Sequence, residues 1–276
     1  MKADLHLHTT ASDGKLSPSQ LVSLAASLDL DVIAITDHDS VGGVDEALNA
    51  SKSYPGLTVV PGLEINTDIP GDELHILGFF VDHKSPELQS ALEMQRAGRV
   101  ERGHEMVAKL AALGMPLEWE RVLELSHGDS IGRPHIAQAM LEKGYITNLG
   151  QAFYQYIGRN GPAYVERERM AAAQAVALVA RTGGLPALAH PAEAPNLDSL
   201  LMELKASGLG ALEAYYTGYS IQKSQRLEAL ARRLGLLVCG GSDYHGLDES
   251  RESKPGSVFL PKKAVQSLLA WKDNRC

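Results

Sequence analysis

Near the start of the chain Leu5, His6, Leu7 and His8 alternate apolar and imidazole side chains, the two-residue rhythm of a half-buried strand. At 31–39 the apolar run Val32-Ile33-Ala34-Ile35 ends in Thr36-Asp37-His38-Asp39. This predicts a strand buried on both faces with a polar end. Residues 58–66 predict a third strand, which Pro61-Gly62 should turn into a bulge or an edge. Further strands are predicted at 73–80, 185–191, 209–215 and 236–245. Between them the rhythm becomes helical. Ser17-Pro18 supply an N-cap and a first-turn proline for a helix to about Leu28, and Ser85-Pro86 do the same for a long one to Gly114. Short helices are expected after Gly42-Gly43, at 171–181 and at 219–235, whereas 117–125, 133–143 and 147–157 are helical with no strand between them. Seven strands alternating with helices predict an α/β fold, an incomplete parallel barrel. A helical insertion at 94–164 would then divide a barrel made of 1–93 and 165–276.

Composition changes this picture in two places. The chain of 276 residues is 44% hydrophobic and 22% charged, ordinary for a globular protein, but its net charge is −8. That argues against a non-specific binder of long duplex nucleic acid, which would need a basic stripe. The deficit is uneven: residues 94–170 hold ten Lys/Arg against nine Asp/Glu, so the acids concentrate in the barrel, where cations can offset them. Cys239 and Cys276 form no spacing pattern, so no disulfide is expected. The first residues enter a strand without a basic, apolar leader, and no apolar run is long enough for a bilayer. A cytoplasmic protein with no membrane partner is expected.

The candidate chemistry lies at the strand ends. A strand through His6 and His8 points both imidazoles to one face, roughly 7 Å apart along the backbone, which suits a metal held by neutral imidazoles. Asp13, in a Ser-Asp-Gly turn, can return to the same end. His38, Glu64, His190, Asp243 and His245 also sit at or beyond strand ends, and His75 can face the same way. In a β/α barrel such ends converge on one mouth. One or two satisfied core histidines are ordinary, but six in this pattern point to a metal cluster. Only His83, His104, His127 and His135 fall outside it.

The ordered motifs His6-Leu7-His8 with Asp13, Thr36-Asp37-His38, Gly62-Leu63-Glu64, Leu74-His75, Ala189-His190-Pro191 and Ser242-Asp243-Tyr244-His245 resemble those of the polymerase-and-histidinol-phosphatase (PHP) superfamily. The resemblance runs from residue 3 to 245. It implies a distorted (β/α)7 barrel and two or three divalent ions, zinc, manganese or iron. By position, one ion would take His6, His8, Glu64 and Asp243; a second, Glu64, His75 and His190; a third, Asp13, His38 and His245. Glu64, Asp13 and their neighbours would hold the attacking hydroxide. Closely spaced divalent ions serve phosphoester hydrolysis by activating water and clamping the attacking and leaving oxygens.

Substrate choice must come from outside the metal ligands. Arg133 and His135 open a predicted helix after Ser130-Ile131-Gly132, a good phosphate site, and Arg159 lies where the chain returns to the barrel. These stretches resemble the branch of 3′,5′-nucleotide bisphosphate phosphatases, related to enzymes that trim 5′-phosphorylated RNA. The implied reaction removes the 3′-phosphate of a substrate such as adenosine 3′,5′-bisphosphate while the insertion grips the 5′-phosphate. The rivals are a 5′→3′ exoribonuclease on short 5′-phosphorylated RNA, a histidinol-phosphate phosphatase and a non-catalytic metal-stabilised module. Arg96, Arg99 and Arg102 recur every three residues and could form one basic helix face, though such a run is more often simply a solvated face, the reading expected here.

Overall fold

Seven strands follow one another around a barrel-shaped sheet in the order β1 (Ala3–Asp4), β2 (Val32–Ile35), β3 (Thr58–Ile69), β4 (Asp72–Phe79), β6 (Leu185–Leu188), β7 (Ala211–Tyr216) and β8 (Leu237–Gly241). The short β5 (Met170–Ala171) pairs beside β3. The computed structural model describes residues 1–69, 72–126, 130–191, 194, 196–247 and 252–274. His127 and Cys276 lie outside the described residues. Backbone hydrogen bonds from Leu5 N–H to Gly240 O (3.1 Å), His8 N–H to Tyr244 O (3.0 Å) and Asp243 N–H to His6 O (3.0 Å) bring the last strand against the first.

Three expectations change. The first strand ladders regularly only at Ala3–Asp4, because side chains replace the ladder partners beyond it: His6 N–H donates to Asp4 Oδ1 and Leu7 N–H to Thr36 Oγ1. Pro61-Gly62 makes neither a bulge nor an edge. There β3 leaves its parallel pairing with β2 (58–61) and begins antiparallel pairing with β4 (62–69). The barrel is therefore not all parallel, since β4 runs against both β3 and β6. This reversal carries function: it sets His75 opposite Asn66 in the register, so β4 delivers a histidine to the mouth from its first half.

Helices cover the outside. Ser17 and Gln20 form a reciprocal capping box that starts α1 (Pro18–Ser27), which packs with α2 (Val44–Ser51) on the first strands. Residues alternate as a doubly buried strand requires: Val32 and Ala34 join the cluster closed by α10 (Lys262–Asp273), while Ile33 and Ile35 join the one under α1 and α2. A third cluster packs β3, β4 and β7 against α7 (Ala172–Arg181), α8 (Leu197–Ala206) and α9 (Ile221–Leu234). Helices α8 and α10 are additions to the predicted elements. Between β4 and β5 the chain is helical: α3 (Pro86–Ala112), α4 (Trp119–Ser126), α5 (Arg133–Glu142), α6 (Leu149–Ala152) and a π-helical turn (Phe153–Ile157). This segment buries its own apolar cluster, from Met106 through Ile136 and Met140 to Val165.

Candidate metal centre

Glu64 sits where β3 changes partner, fully buried, with histidines around both of its carboxylate oxygens. Oε2 lies 3.2 Å from His6 Nε2, 3.4 Å from His8 Nε2 and 3.0 Å from His38 Nδ1. Oε1 lies 2.9 Å from His75 Nδ1 and 3.1 Å from His190 Nε2. Asp243 Oδ1 approaches His6 Nε2 (3.3 Å) and His8 Nε2 (3.0 Å) from β8, and Asp13 Oδ1 approaches His245 Nε2 (3.4 Å). Three groups of donor atoms lie within 4.8 Å of one another: His6, His8, Glu64 and Asp243; His8, Asp13, His38 and His245; and His38, Glu64 and His75. The first is the quartet expected for one ion. The second adds His8 to an expected trio, and the third holds His38 where His190 was expected, with His190 on Glu64 Oε1 beside His75.

The backbone that delivers these groups needs glycine at two close approaches. Ser12 and Gly14 N–H both return to Thr9 O, folding Asp13 back; a Cβ on Gly14 would lie 2.4 Å from His8 O. A Cβ on Gly241 would lie 2.5 Å from the His6 nitrogen, so β8 can pass this near β1 only with glycine there. Three buried carboxylates then lock the loops. Asp37 accepts from Thr9 N–H, Thr9 Oγ1 and Ser12 Oγ, each at 2.7 Å. Asp4 accepts from the N–H groups of His6, Ser242 and Gly256. Glu213 accepts from His6 Nδ1 (3.0 Å) and His190 N–H (2.6 Å). A histidine whose Nδ1 proton faces a carboxylate presents the lone pair of Nε2 to a metal.

Burial opposes charge throughout the centre, yet its carboxyls stay ionised. It works against Glu64, but His6, His38, His75 and the His190 hydrogen bond outweigh it and hold the carboxyl well below the usual range. Asp243 and Asp13 are likewise held down against burial, by His6 and His8 and by His38 and His245 respectively. His8 is pushed down to about 3 by burial and by the His245 and His38 imidazoles, so it is neutral at pH 7.

The donor set fits divalent metal. His6 Nε2, both His8 ring nitrogens, Asp13 Oδ1, His38 Nδ1, Glu64 Oε2 and Asp243 Oδ1 are buried with no hydrogen-bond partner among the described residues. Buried polar atoms are ordinarily paired, and leaving one unpaired costs roughly 1–3 kcal/mol. Seven converging orphans of mixed nitrogen and oxygen character call for cations.

Beside this centre stands a wall of arginine. A Cβ on Gly132, at the start of α5, would lie 3.2 Å from Asp13 Oδ2, so the start of this helix packs against the donor groups. Arg133 reaches Glu73 Oε2 (3.3 Å), and Arg169 binds Glu73 and Asp68. Arg99 and Arg102 correct the expected solvated face, being only 4% and 6% exposed. Arg99 Nε donates to Asp39 Oδ2 (2.7 Å), which also receives Arg167, and its Nη2 binds Asn66, whose Nδ2 lies 2.7 Å from His75 Nε2. The nearest part of the wall is thus tied to a candidate ligand. Arg102 has neither a hydrogen bond nor an ion pair among the described residues; burial and the Arg99, Arg167, Arg133 and Arg169 guanidiniums push its pKa down.

The other two predicted substrate residues differ. His135 is buried and its Nδ1 accepts from Gly132 N–H (2.9 Å), closing the first turn of α5, while Arg159 is exposed. Of the histidines outside the strand-end pattern, His83 pairs with Asp45 (2.8 Å) and His104 packs tilted against Trp119 (3.8 Å between centroids). Sequence reasoning missed Asn66, Glu213 and Tyr216, whose OH donates to Asp243 Oδ2 (2.8 Å). Only Glu213 carried a signal, a carboxylate inside the apolar run Ala211-Leu212-Glu213-Ala214.

Comparison with known proteins agrees with this geometry. The profile of the PHP domain matches residues 4–182. A 5′-3′ exoribonuclease of Haemophilus influenzae is 34% identical over 248 residues, covering 88% of this chain and 90% of that protein. A 3′,5′-nucleoside bisphosphate phosphatase of Chromobacterium violaceum is 29% identical, covering 94% and 92%. A solved structure from Bifidobacterium adolescentis, assigned as a metal-dependent phosphoesterase, superposes with a TM-score of 0.88 at 32% identity, covering 97% and 95%. No helix among the described residues is long and apolar enough to cross a membrane. With its barrel, its converging donors and these relatives in agreement, the chain belongs to the PHP family of metal-dependent phosphoesterases.

Proposed function

We propose that this phosphoesterase removes the 3′-phosphate of a 3′,5′-bisphosphonucleotide such as adenosine 3′,5′-bisphosphate, leaving the 5′-monophosphate. One observation carries the reading: Arg102, a buried guanidinium with no hydrogen bond or ion pair among the described residues, its charge felt at Glu73, stands in a cationic wall that approaches the donor groups at Gly132 and Asp13. A substrate with one phosphate at the centre and a second against the wall supplies the anion this arrangement lacks. Arg133 and Arg102 are assigned to the 5′-phosphate, Arg159 to a weaker outer contact, and His135 to holding the helix start that aims Arg133. The relatives named above act on a nucleoside bisphosphate and on RNA, substrates that share a phosphorylated 3′ oxygen.

His6, His8, Glu64 and Asp243 would hold one ion, Glu64 and His75 with His190 a second, and Asp13, His38 and His245 a third; His8 also clusters with the third set and His38 with Glu64 and His75. The donor chemistry suits zinc, manganese or iron. When bound, such ions activate water and neutralise phosphoryl oxygens. The protein does the rest. Glu64 joins the groups through its two oxygens, Glu213 fixes the His6 ring, and the wall orients the substrate by the phosphate that does not react.

The test is a screen of metal-reconstituted protein against adenosine 3′,5′-bisphosphate, 3′-AMP, short 5′-phosphorylated RNA and histidinol phosphate. The bisphosphate should exceed 3′-AMP in kcat/KM. A preference for histidinol phosphate, or equal rates on the two nucleotides, would overturn the assignment.

A further inference from the structure

On the flank of β7, away from the arginine wall, lies a second cavity of about 650 Å³. Its volume falls in the usual range for small-molecule sites, roughly 300–1,000 Å³. None of the residues lining it belongs to α3–α6. Tyr216 joins it to the metal centre: its OH donates to Asp243 Oδ2, and its ring lies 5.3 Å from that of His190. Tyr219 continues the aromatic row, 5.2 Å from Tyr216. Beyond it Ile221 and Phe259 are 74% and 78% exposed, apolar surface that the fold itself does not use. Lys223 places its ammonium 4.6 Å from the centre of the Tyr219 ring.

We infer that this cavity is a stacking platform for the second nucleoside of a 5′-phosphorylated oligonucleotide, whose base lies against Tyr219 and Phe259. The inference rests on the proposed function, because it takes the 5′-phosphate to be held at the arginine wall. With that anchor fixed, the scissile phosphate lies at the donor groups and its remaining ester substituent must leave on another side. Tyr216 marks such a side, since it is the aromatic residue that touches both Asp243 and the cavity. Every base offers a π-face, so stacking would bind without strong sequence preference. Lys223, whose ammonium lies over the Tyr219 ring, adds positive charge at the platform, which suits the phosphate that follows the second nucleoside.

The chemistry is the same for both substrates. Water adds its oxygen to phosphorus, the bond from phosphorus to the 3′ oxygen breaks, and that oxygen takes up a proton. With a bisphosphonucleotide the phosphate leaves free. With an oligonucleotide it stays on the second nucleoside, which becomes the new 5′-phosphorylated end.

The experiment compares kcat/KM for adenosine 3′,5′-bisphosphate with that for a 5′-phosphorylated diadenosine, in wild-type protein and in Tyr219→Ala, Tyr219→Phe and Phe259→Ala. Loss of a stacked base should lower the dinucleotide-to-bisphosphate ratio about 5- to 150-fold in the two alanine variants. Tyr219→Phe keeps the ring and should keep the ratio. Affinity for a 5′-phosphorylated trinucleotide with a 3′ fluorophore, read by anisotropy before turnover begins, should fall in parallel. An unchanged ratio and affinity in both alanine variants overturns the platform. So does wild-type hydrolysis of the bisphosphate without the dinucleotide, a result that leaves the proposed function standing. Dinucleotide hydrolysis without bisphosphate hydrolysis does the reverse. A change of oligomeric state in Phe259→Ala with an unchanged ratio would assign the patch to a second copy of the chain and also overturn the inference.

Discussion

The donor centre and the arginine wall meet at Gly132 and Asp13, yet they are assembled in opposite ways. Donors arrive on strand ends and the tight loops after them, held by glycine approaches and by the carboxylates of Asp4, Asp37 and Glu213. Seven of their nitrogen and oxygen atoms are left without a hydrogen-bond partner among the described residues. The wall draws Arg99, Arg102 and Arg133 from helices and Arg167 and Arg169 from the irregular stretch that leads into β5, and most of these charges are paired with Asp39, Asp68 or Glu73. Among the described residues Arg102 is the member of the wall with no hydrogen bond or ion pair, although its charge acts on Glu73. A rigid, under-satisfied frame suits chemistry common to many phosphoesters. A mostly neutralised wall with a single open charge suits selection among them.

The sharpest way to break this division is Glu64→Gln. Glu64 contacts five histidines through two oxygens, so losing its charge should remove more than one metal equivalent and abolish turnover while the chain stays folded. Elemental analysis alongside circular dichroism checks it, and full metal content with near wild-type turnover refutes the bridging role. The wall should respond differently. A charge-assisted contact is worth about 1.5–3 kcal/mol, or roughly 10- to 150-fold. Arg133→Ala and Arg102→Ala should each lower kcat/KM by that order for a 3′,5′-bisphosphate, and far less for a 3′-monophosphate, with metal content intact. Equal losses on the two substrates would mean that the wall does not read the second phosphate.

These two regions were unequally legible in the sequence. Each donor lies in a short local motif at a predictable strand end, so His6, His8, His38 and Glu64 could be placed together once a barrel was inferred. The reversal of β4 was hidden because Glu73-Leu74-His75-Ile76 alternates identically in either direction. Arg99 and Arg102 were misread for a related reason: a three-residue spacing describes a helix face but not what the face meets. Only the tertiary fold brings Asp39 to Arg99, across 60 positions of chain. Helix α8 had a readable stripe, Leu197, Leu200, Leu201 and Leu204, but no side-chain cap at Asn196 to announce it.

Glu213 sharpens the comparison from the frame's side, since it touches His6 and the backbone of His190 without belonging to any donor group. Replacing such an outer partner of a ligating histidine typically costs 10- to 100-fold in metal affinity or activity. Glu213→Gln should therefore weaken metal binding in a chelator competition by that order. Because the defect lies in the frame, the preference for bisphosphate over monophosphate should survive once metal is saturating. A lost preference at full occupancy would place Glu213 in substrate selection instead.

The smallest effect is expected from Arg159→Ala. Arg159 and Arg133 look equivalent in the sequence, two arginines beside turns of the insertion, but their surroundings differ. Arg133 is 22% exposed, paired with Glu73 and packed 5.9 Å from the centre of the Phe153 ring, whereas Arg159 is exposed. In solvent, screening and side-chain entropy reduce a charge pair to about 0–1 kcal/mol, at most roughly fivefold. Arg159→Ala should thus raise KM for the bisphosphate by no more than that, leave kcat unchanged, and lose even this effect as salt rises. Arg133→Ala should keep most of its defect in the same salt series, because a half-buried contact is less screened. If the two variants lose activity equally and with the same salt dependence, the distinction between a built wall and its solvated rim fails.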